Sequence, residues 1–247
     1  MNSLPSSREL DLKLDRIRSL LAEHQLDALL ISRVKNFAWA TCGADSHIDL
    51  ADSLGIASLL ITQSSRYVVT NNIEADRLMV EEGLEDQGWE IQSAPWHEGD
   101  ALLQKLTREM SLGADFYFPQ AVRLDAELTK LRSSLTPQEG ERFRQLGNLC
   151  AESMQDAVDA VHPGLSEFQI AALLAGALER RGVQIVVNLV AADERIFSYR
   201  HPLPTAKQLR NYVMMVLCGR KWGLICSMTR ILHFGKLPDE IRSKGHA

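Results

Sequence analysis

Apolar positions in the first half of the chain switch repeatedly between helical and strand spacing. Leu10, Leu14, Ile17 and Leu21 recur every three to four residues, which predicts an amphipathic helix over 9–24. Asp27–Ser32 is a short apolar run of the kind a buried strand produces. Gly55–Thr62 and Arg66–Thr70 predict two further strands separated by the polar turn Gln63-Ser64-Ser65. Ile73–Glu82 predicts a helix stopping near Gly83, and Glu90–Ala94 a strand. Asp100 is placed to cap a helix running to Met110, and Ala114–Phe118 predicts another strand. This rhythm predicts an α/β domain with a mixed or parallel sheet.

The second half opens differently. Ser133–Pro137 reads as a domain junction, dividing the chain into 1–134 and 135–247. Thr136-Pro137-Gln138-Glu139 is a helix start, with Thr as cap, Pro in the first turn and Glu139 at capping-box spacing. The helix is expected to reach about Val161, where His162-Pro163-Gly164 ends it. Ser166 opens another helix with Glu167 at its positive end, and Gly182 stops it. Val183–Ala191 and Tyr212–Cys218 are strand-like, and Trp222–Met228 is a weaker third strand.

With 247 residues, 45% hydrophobic and 24% charged, the chain has enough apolar content to fold and too little charge for disorder. Its longest apolar runs, such as Leu54–Thr62 and Val213–Cys218, fall far short of the roughly 20 residues that cross a bilayer. The N-terminus has no apolar stretch of the secretory type. The four cysteines (Cys42, Cys150, Cys218 and Cys226) have no CxxC spacing and read as reduced thiols. The expectation is a cytoplasmic protein without a membrane partner.

Charge is uneven, at -8 over residues 1–135 and +3 over 136–247. No Asp or Glu lies between Arg195 and Pro238, a stretch holding Arg195, Arg200, Lys207, Arg210, Arg220, Lys221, Arg230 and Lys236. Such a run is either a solvated basic face or an anion-attracting site. Nucleic acid is disfavoured, because the run lacks interleaved aromatics and the whole chain is acidic.

Four motifs in order carry a resemblance. They are the helix start at Ser133–Glu139, Pro163-Gly164-Leu165-Ser166-Glu167, His201-x-x-Pro204, and Gly223 with Thr229-Arg230. Together they resemble the metallopeptidase family of creatinases, Xaa-Pro dipeptidases and aminopeptidase P. The implied fold class is α/β: a creatinase-like N-terminal α/β domain followed by the first part of a pita-bread (α+β) catalytic domain. In the family, D-x-G…G-Y-x-x-D-x-T-R supplies two Asp ligands to a dinuclear metal site. Anchoring on Gly219 puts Leu217 at the first Asp, and anchoring on Thr229-Arg230 puts Ser227 at the second, with the spacing one residue short. No carboxylate lies nearby, and hard divalent ions want anionic oxygen ligands. The family also continues past this point with a second His and two Glu ligands, whereas this chain stops at Ala247. No metal and no cofactor is therefore expected.

The resemblance makes His201 the candidate catalytic acid/base. Arg200 and Arg230 are candidates for gripping a substrate carboxylate through paired hydrogen bonds. Arg33 and Arg66 are weaker candidates for reaching a partner subunit's site. Cys218 with Cys226 could form a zinc pair, though two small buried hydrophobes is the favoured reading. The Asp45, His47, Asp49 cluster reads as loop polarity. The expected function is that of a C–N bond hydrolase lineage acting on a small anionic or dipeptide-like ligand, with metal ligands missing and little activity in this chain. The alternative is a non-catalytic dimeric binding or scaffold protein of the same fold. Half a pita-bread sheet would leave strand edges unpaired, so a homodimer is expected.

Overall fold

A computed structural model describes residues 7–236 of the chain. It divides into two compact units, Met1–Gly140 and Glu141–Ala247, with the division falling near the start of a long helix.

The first unit begins with α1 (Ser7–Glu23), whose apolar stripe is buried: Leu14, Ile17 and Leu21 are almost wholly enclosed. There follow β1 (Ala28–Arg33), α2 (Val34–Ala40), β2 (Leu54–Thr62), β3 (Arg66–Asn71), β4 (Glu90–Ala94), α3 (Ala101–Thr107), β5 (Leu112–Ala114), β6 (Val122–Arg123) and α4 (Asp125–Ser133). The strands form one mixed six-stranded sheet in the order β4-β3-β2-β1-β5-β6. β1 runs antiparallel to β2 and parallel to β5. β1 is buried along nearly its whole length, which is why it reads as a continuous apolar run. Leu29 and Ile31 pack into a core with α1, α2 and α4, while Ala28 and Leu30 pack into the other core with α3.

Three expectations need correction. The segment 73–82 is not a regular helix: the Asn71 side chain accepts the Ile73 and Glu74 N–H groups, and Arg77–Glu81 winds as a π-helical turn. Asp100 precedes α3 but makes no side-chain cap, and α3 ends at Thr107. The strand placed at Ala114–Phe118 lies earlier, at Leu112–Ala114, because Asp115 leaves the sheet to accept the Ser32 and Arg33 N–H groups through its carboxylate.

The second unit contains most of α5 (Pro137–Ala160), α6 (Glu167–Glu179), β7 (Gln184–Ala192), the short α7 (Arg195–Ser198), β8 (Tyr212–Lys221) and β9 (Leu224–His233). The capping box at the start of α5 forms as its sequence dictates. Glu139 N donates to Thr136 Oγ1 at 3.1 Å, and Thr136 N donates to Glu139 Oε2 at 2.8 Å. A second capping box joins Ser166 and Gln169 at the start of α6. The three strands form an antiparallel sheet in the order β7-β8-β9. One face of it is covered by α5 and α6 through Leu146, Cys150, Met154, Leu174, Met215 and Leu217. Among the described residues no helix is long and apolar enough to cross a membrane.

Candidate functional site

The loop between β7 and β8 carries Arg200 and His201, and its shape is set by two carboxylates. Glu167 has no exposure to water. It accepts Ala192 N at 2.7 Å, Thr205 N at 2.9 Å and Thr205 Oγ1 at 2.7 Å, and it pairs with Arg195. Arg195 reaches on to the Leu203 carbonyl at 3.1 Å. The backbone adds two straps, Glu167 N to Lys207 O and Phe168 N to Thr205 O. A carboxylate in the first turn of α6 also meets the positive end of the helix dipole.

Asp193 holds the other end of the loop. It adopts a left-handed backbone with φ of 54° and accepts the N–H groups of Arg210, Asn211 and Tyr212. Burial raises the pKa of its carboxyl, but these three donors outweigh burial and hold it below the usual carboxylate range.

Between these anchors Pro202 is buried while Arg200 and His201 are exposed. Among the described residues, no hydrogen bond or ion pair joins any two of Arg200, His201 and Arg230. Arg230 sits on β9 opposite Met215, exposed, and donates to the neighbouring Thr229 carbonyl.

The basic run does not act as one patch. Arg195 pairs with Glu167 and Lys207 with Glu194. Arg220 donates to Gln184, and Lys221 to the Arg181 carbonyl. Arg200, Arg210, Arg230 and Lys236 remain exposed.

The hairpin of β8 and β9 fixes which of the residues aligned with the acidic motif share a face. Its register pairs Leu217 with Met228 and Cys218 with Ser227. Leu217 points into the core under α5 and α6 and has no exposure to water. Side chains alternate faces along a strand, so Cys218 and Ser227 share the opposite face, with Sγ and Oγ 3.0 Å apart. Two ligands of one metal centre must point to one face. Leu217 and Ser227 therefore face opposite sides of the hairpin, while Cys218 and Ser227 share one side.

The turn explains the shortened spacing. Trp222 and Gly223 both have positive φ (55° and 73°), as a two-residue type I′ hairpin requires. A thiol and a hydroxyl do not suit hard divalent ions. Among the described residues, no group of three or more His, Cys, Asp or Glu side chains is placed to hold a metal ion.

The remaining sequence candidates have structural partners. Cys226 lies opposite Gly219 and so faces the core, the other way from Cys218, and the two cannot form a zinc pair. Arg33 donates to the Asp115 carbonyl, and Arg66 to the carbonyls of Gln87 and Gly88. Asp45 meets the His47 ring, and its N–H donates to Glu82, whose carboxyl is pushed up by burial. The sequence alone does not mark Glu167 and Asp193 as loop anchors. Their signal was faint: an acid directly after a helix cap, and an acid directly after an apolar strand.

No protein-family model matches the chain, and no curated protein does. Solved structures do match. The prolidase from Pyrococcus horikoshii OT3 is 17% identical with a TM-score of 0.74, over 94% of this chain and 67% of that one. An Xaa-Pro dipeptidase from Bacillus anthracis is 15% identical with a TM-score of 0.67, over 95% and 68%. The X-prolyl aminopeptidase of Caenorhabditis elegans, described as a cytosolic enzyme with a di-nuclear active site, is 12% identical with a TM-score of 0.61, over 94% and 42%. The chain thus has a peptidase-like fold, that of the prolidases, Xaa-Pro dipeptidases and X-Pro aminopeptidases. It spans about two thirds of the length of the first two.

Proposed function

We propose that this chain uses a peptidase-like fold to bind a small anionic or dipeptide-like molecule, and that it does not hydrolyse that molecule through a pair of metal ions. One observation carries the reading: the cross-strand pair on the hairpin's outer face is Cys218 and Ser227, a thiol and a hydroxyl, in a stretch from Arg195 to Pro238 that holds no Asp or Glu. Arg200 and Arg230 are the proposed grips for the ligand's carboxylate, and both are exposed. The protein acts as a cytoplasmic homodimer in this reading. Support for the dimer is that β9, among the described residues, pairs only with β8 and leaves its other edge open.

A second reading is metal-independent hydrolysis of a C–N bond, with His201 as acid/base. It is favoured by the exposure of His201 on a loop that Glu167 and Asp193 hold in place. An imidazole can both accept and donate the proton such a step requires.

The test is to incubate the protein with Xaa-Pro dipeptides and with creatine, with and without Mn²⁺, while calorimetry measures binding. Binding without turnover, weakened in Arg200→Ala or Arg230→Ala, supports the first reading. Metal-free turnover lost in His201→Ala supports the second. Turnover that requires Mn²⁺ overturns both.

A further inference from the structure

Cys150 and Cys226 meet in the core of the second unit. Cys150 lies on α5, fully buried, and Cys226 on β9, partly buried in the same apolar cluster. They come together because of Gly219. This glycine is the direct cross-strand partner of Cys226, and a Cβ on it would stand only 2.7 Å from the Cys150 sulfur. Directly opposed residues in an antiparallel pair have Cβ atoms about 4.5–5.5 Å apart. The missing Cβ is therefore the gap through which Cys150 reaches across β8 towards Cys226.

We propose that Cys150 and Cys226 form a reversible disulfide that ties the edge strand β9 to α5. The oxidant is a low-molecular-weight disulfide such as oxidised glutathione. Cys226, the more exposed of the two, loses its proton and attacks one glutathione sulfur, forming a mixed disulfide and expelling one glutathione thiolate. Cys150 then gives up its proton and attacks the Cys226 sulfur, forming the Cys150–Cys226 bond and expelling the second glutathione. Two protein thiols are oxidised, and one glutathione disulfide is reduced to two thiols.

The order of attack follows from burial. Burial first, and the adjacent Cys226 second, push the Cys150 thiol up to about 12, so it is a poor first nucleophile at neutral pH. Once Cys226 is blocked as a mixed disulfide, its contribution to that rise is gone. Cys218 does not compete, because it faces the other side of the sheet beside Ser227.

The experiment treats the full chain with oxidised glutathione and follows intact mass and a non-reducing peptide map. The expected result is a loss of two hydrogens and a linked pair of peptides carrying Cys150 and Cys226. The link should be absent in Cys150→Ala and in Cys226→Ser, retained in Cys218→Ser, and cleaved by dithiothreitol. Closure should quicken as pH rises, and the oxidised protein should melt at a higher temperature. A glutathione adduct that persists on Cys226, a link through Cys218, or an unchanged mass under conditions that oxidise a control dithiol would overturn the proposal.

Discussion

Lys13 and Glu139 stand 2.9 Å apart with almost no exposure to water, one on α1 and the other in the first turn of α5. The same ammonium lies 2.9 Å from Glu9 and donates to the Trp39 carbonyl at 2.9 Å. All three of its protons have acceptors, which is the condition for tolerating a buried lysine. Thr136 completes the cluster by donating through its hydroxyl to Glu9 and through its N–H to Glu139. Lys13→Met would leave two enclosed carboxylates without their cation. The expected loss is about 3–5 kcal/mol of unfolding free energy, read from the urea midpoint. Adding Glu9→Gln and Glu139→Gln should recover part of it. A single mutant within about 0.5 kcal/mol of the parent would mean the cluster does not form.

Glu167 makes a prediction about the loop rather than the whole fold. Its carboxylate is shared by Ala192, Thr205 and Arg195. Glu167→Ala leaves those buried donors unmatched, at an expected cost of about 3–5 kcal/mol. The more telling readout is local. Trypsin should cut faster after Arg200, and the Thr205 amide should exchange faster, than global destabilisation alone explains. Glu167→Gln should retain part of the protection. Unchanged cleavage in both variants would show that other contacts hold the loop.

Much of this architecture was legible from residue order. The capping signals at Thr136 and Ser166 are local chemistry, since each hydroxyl and its partner three residues on satisfy backbone groups that no distant contact can reach, and both boxes form. The helix α2 gave no such signal: its sequence Val34-Lys-Asn-Phe-Ala-Trp-Ala40 is buried almost all round and has no polar face to set a period. The tight β8–β9 turn was equally silent, because Trp at a left-handed position is not a usual turn residue. That turn matters for the site. Its register sends Leu217, the residue aligned with the first Asp, into the core and turns Cys218 towards Ser227. The grouping of the basic residues was illegible for a similar reason, since Glu167 and Glu194 come from outside the carboxylate-free stretch and neutralise part of it.

Asp193 ties stability to pH. Its carboxyl is held below the usual carboxylate range, so the folded protein favours the ionised form more than the unfolded chain does. Its contribution is therefore complete above the ordinary range, near about pH 4, and is lost as pH falls through the lowered value. Asp193→Asn keeps tolerance of the left-handed backbone but loses the charge that the Arg210, Asn211 and Tyr212 donors prefer. The difference in unfolding free energy between parent and variant should be constant from about pH 5 to 7 and should shrink below about pH 4. A difference that grows on acidification would reverse the sign and refute the assignment.

Gly219 is a steric prediction. A Cβ there would lie 2.7 Å from the Cys150 sulfur and 2.7 Å from Val183 Cγ1, closer than side-chain atoms tolerate. Its backbone is not left-handed, so Gly219→Ala tests packing alone. Crowding of this size in a close-packed core costs about 1–3 kcal/mol. Cys150→Ala should destabilise on its own by opening a small cavity, but it also clears one of the two obstacles. The double variant Gly219→Ala with Cys150→Ala should therefore lose less than the two single losses together, with a coupling of about 0.5 kcal/mol or more in thermal or urea unfolding. Strict additivity would mean that the sulfur does not occupy the space the glycine leaves.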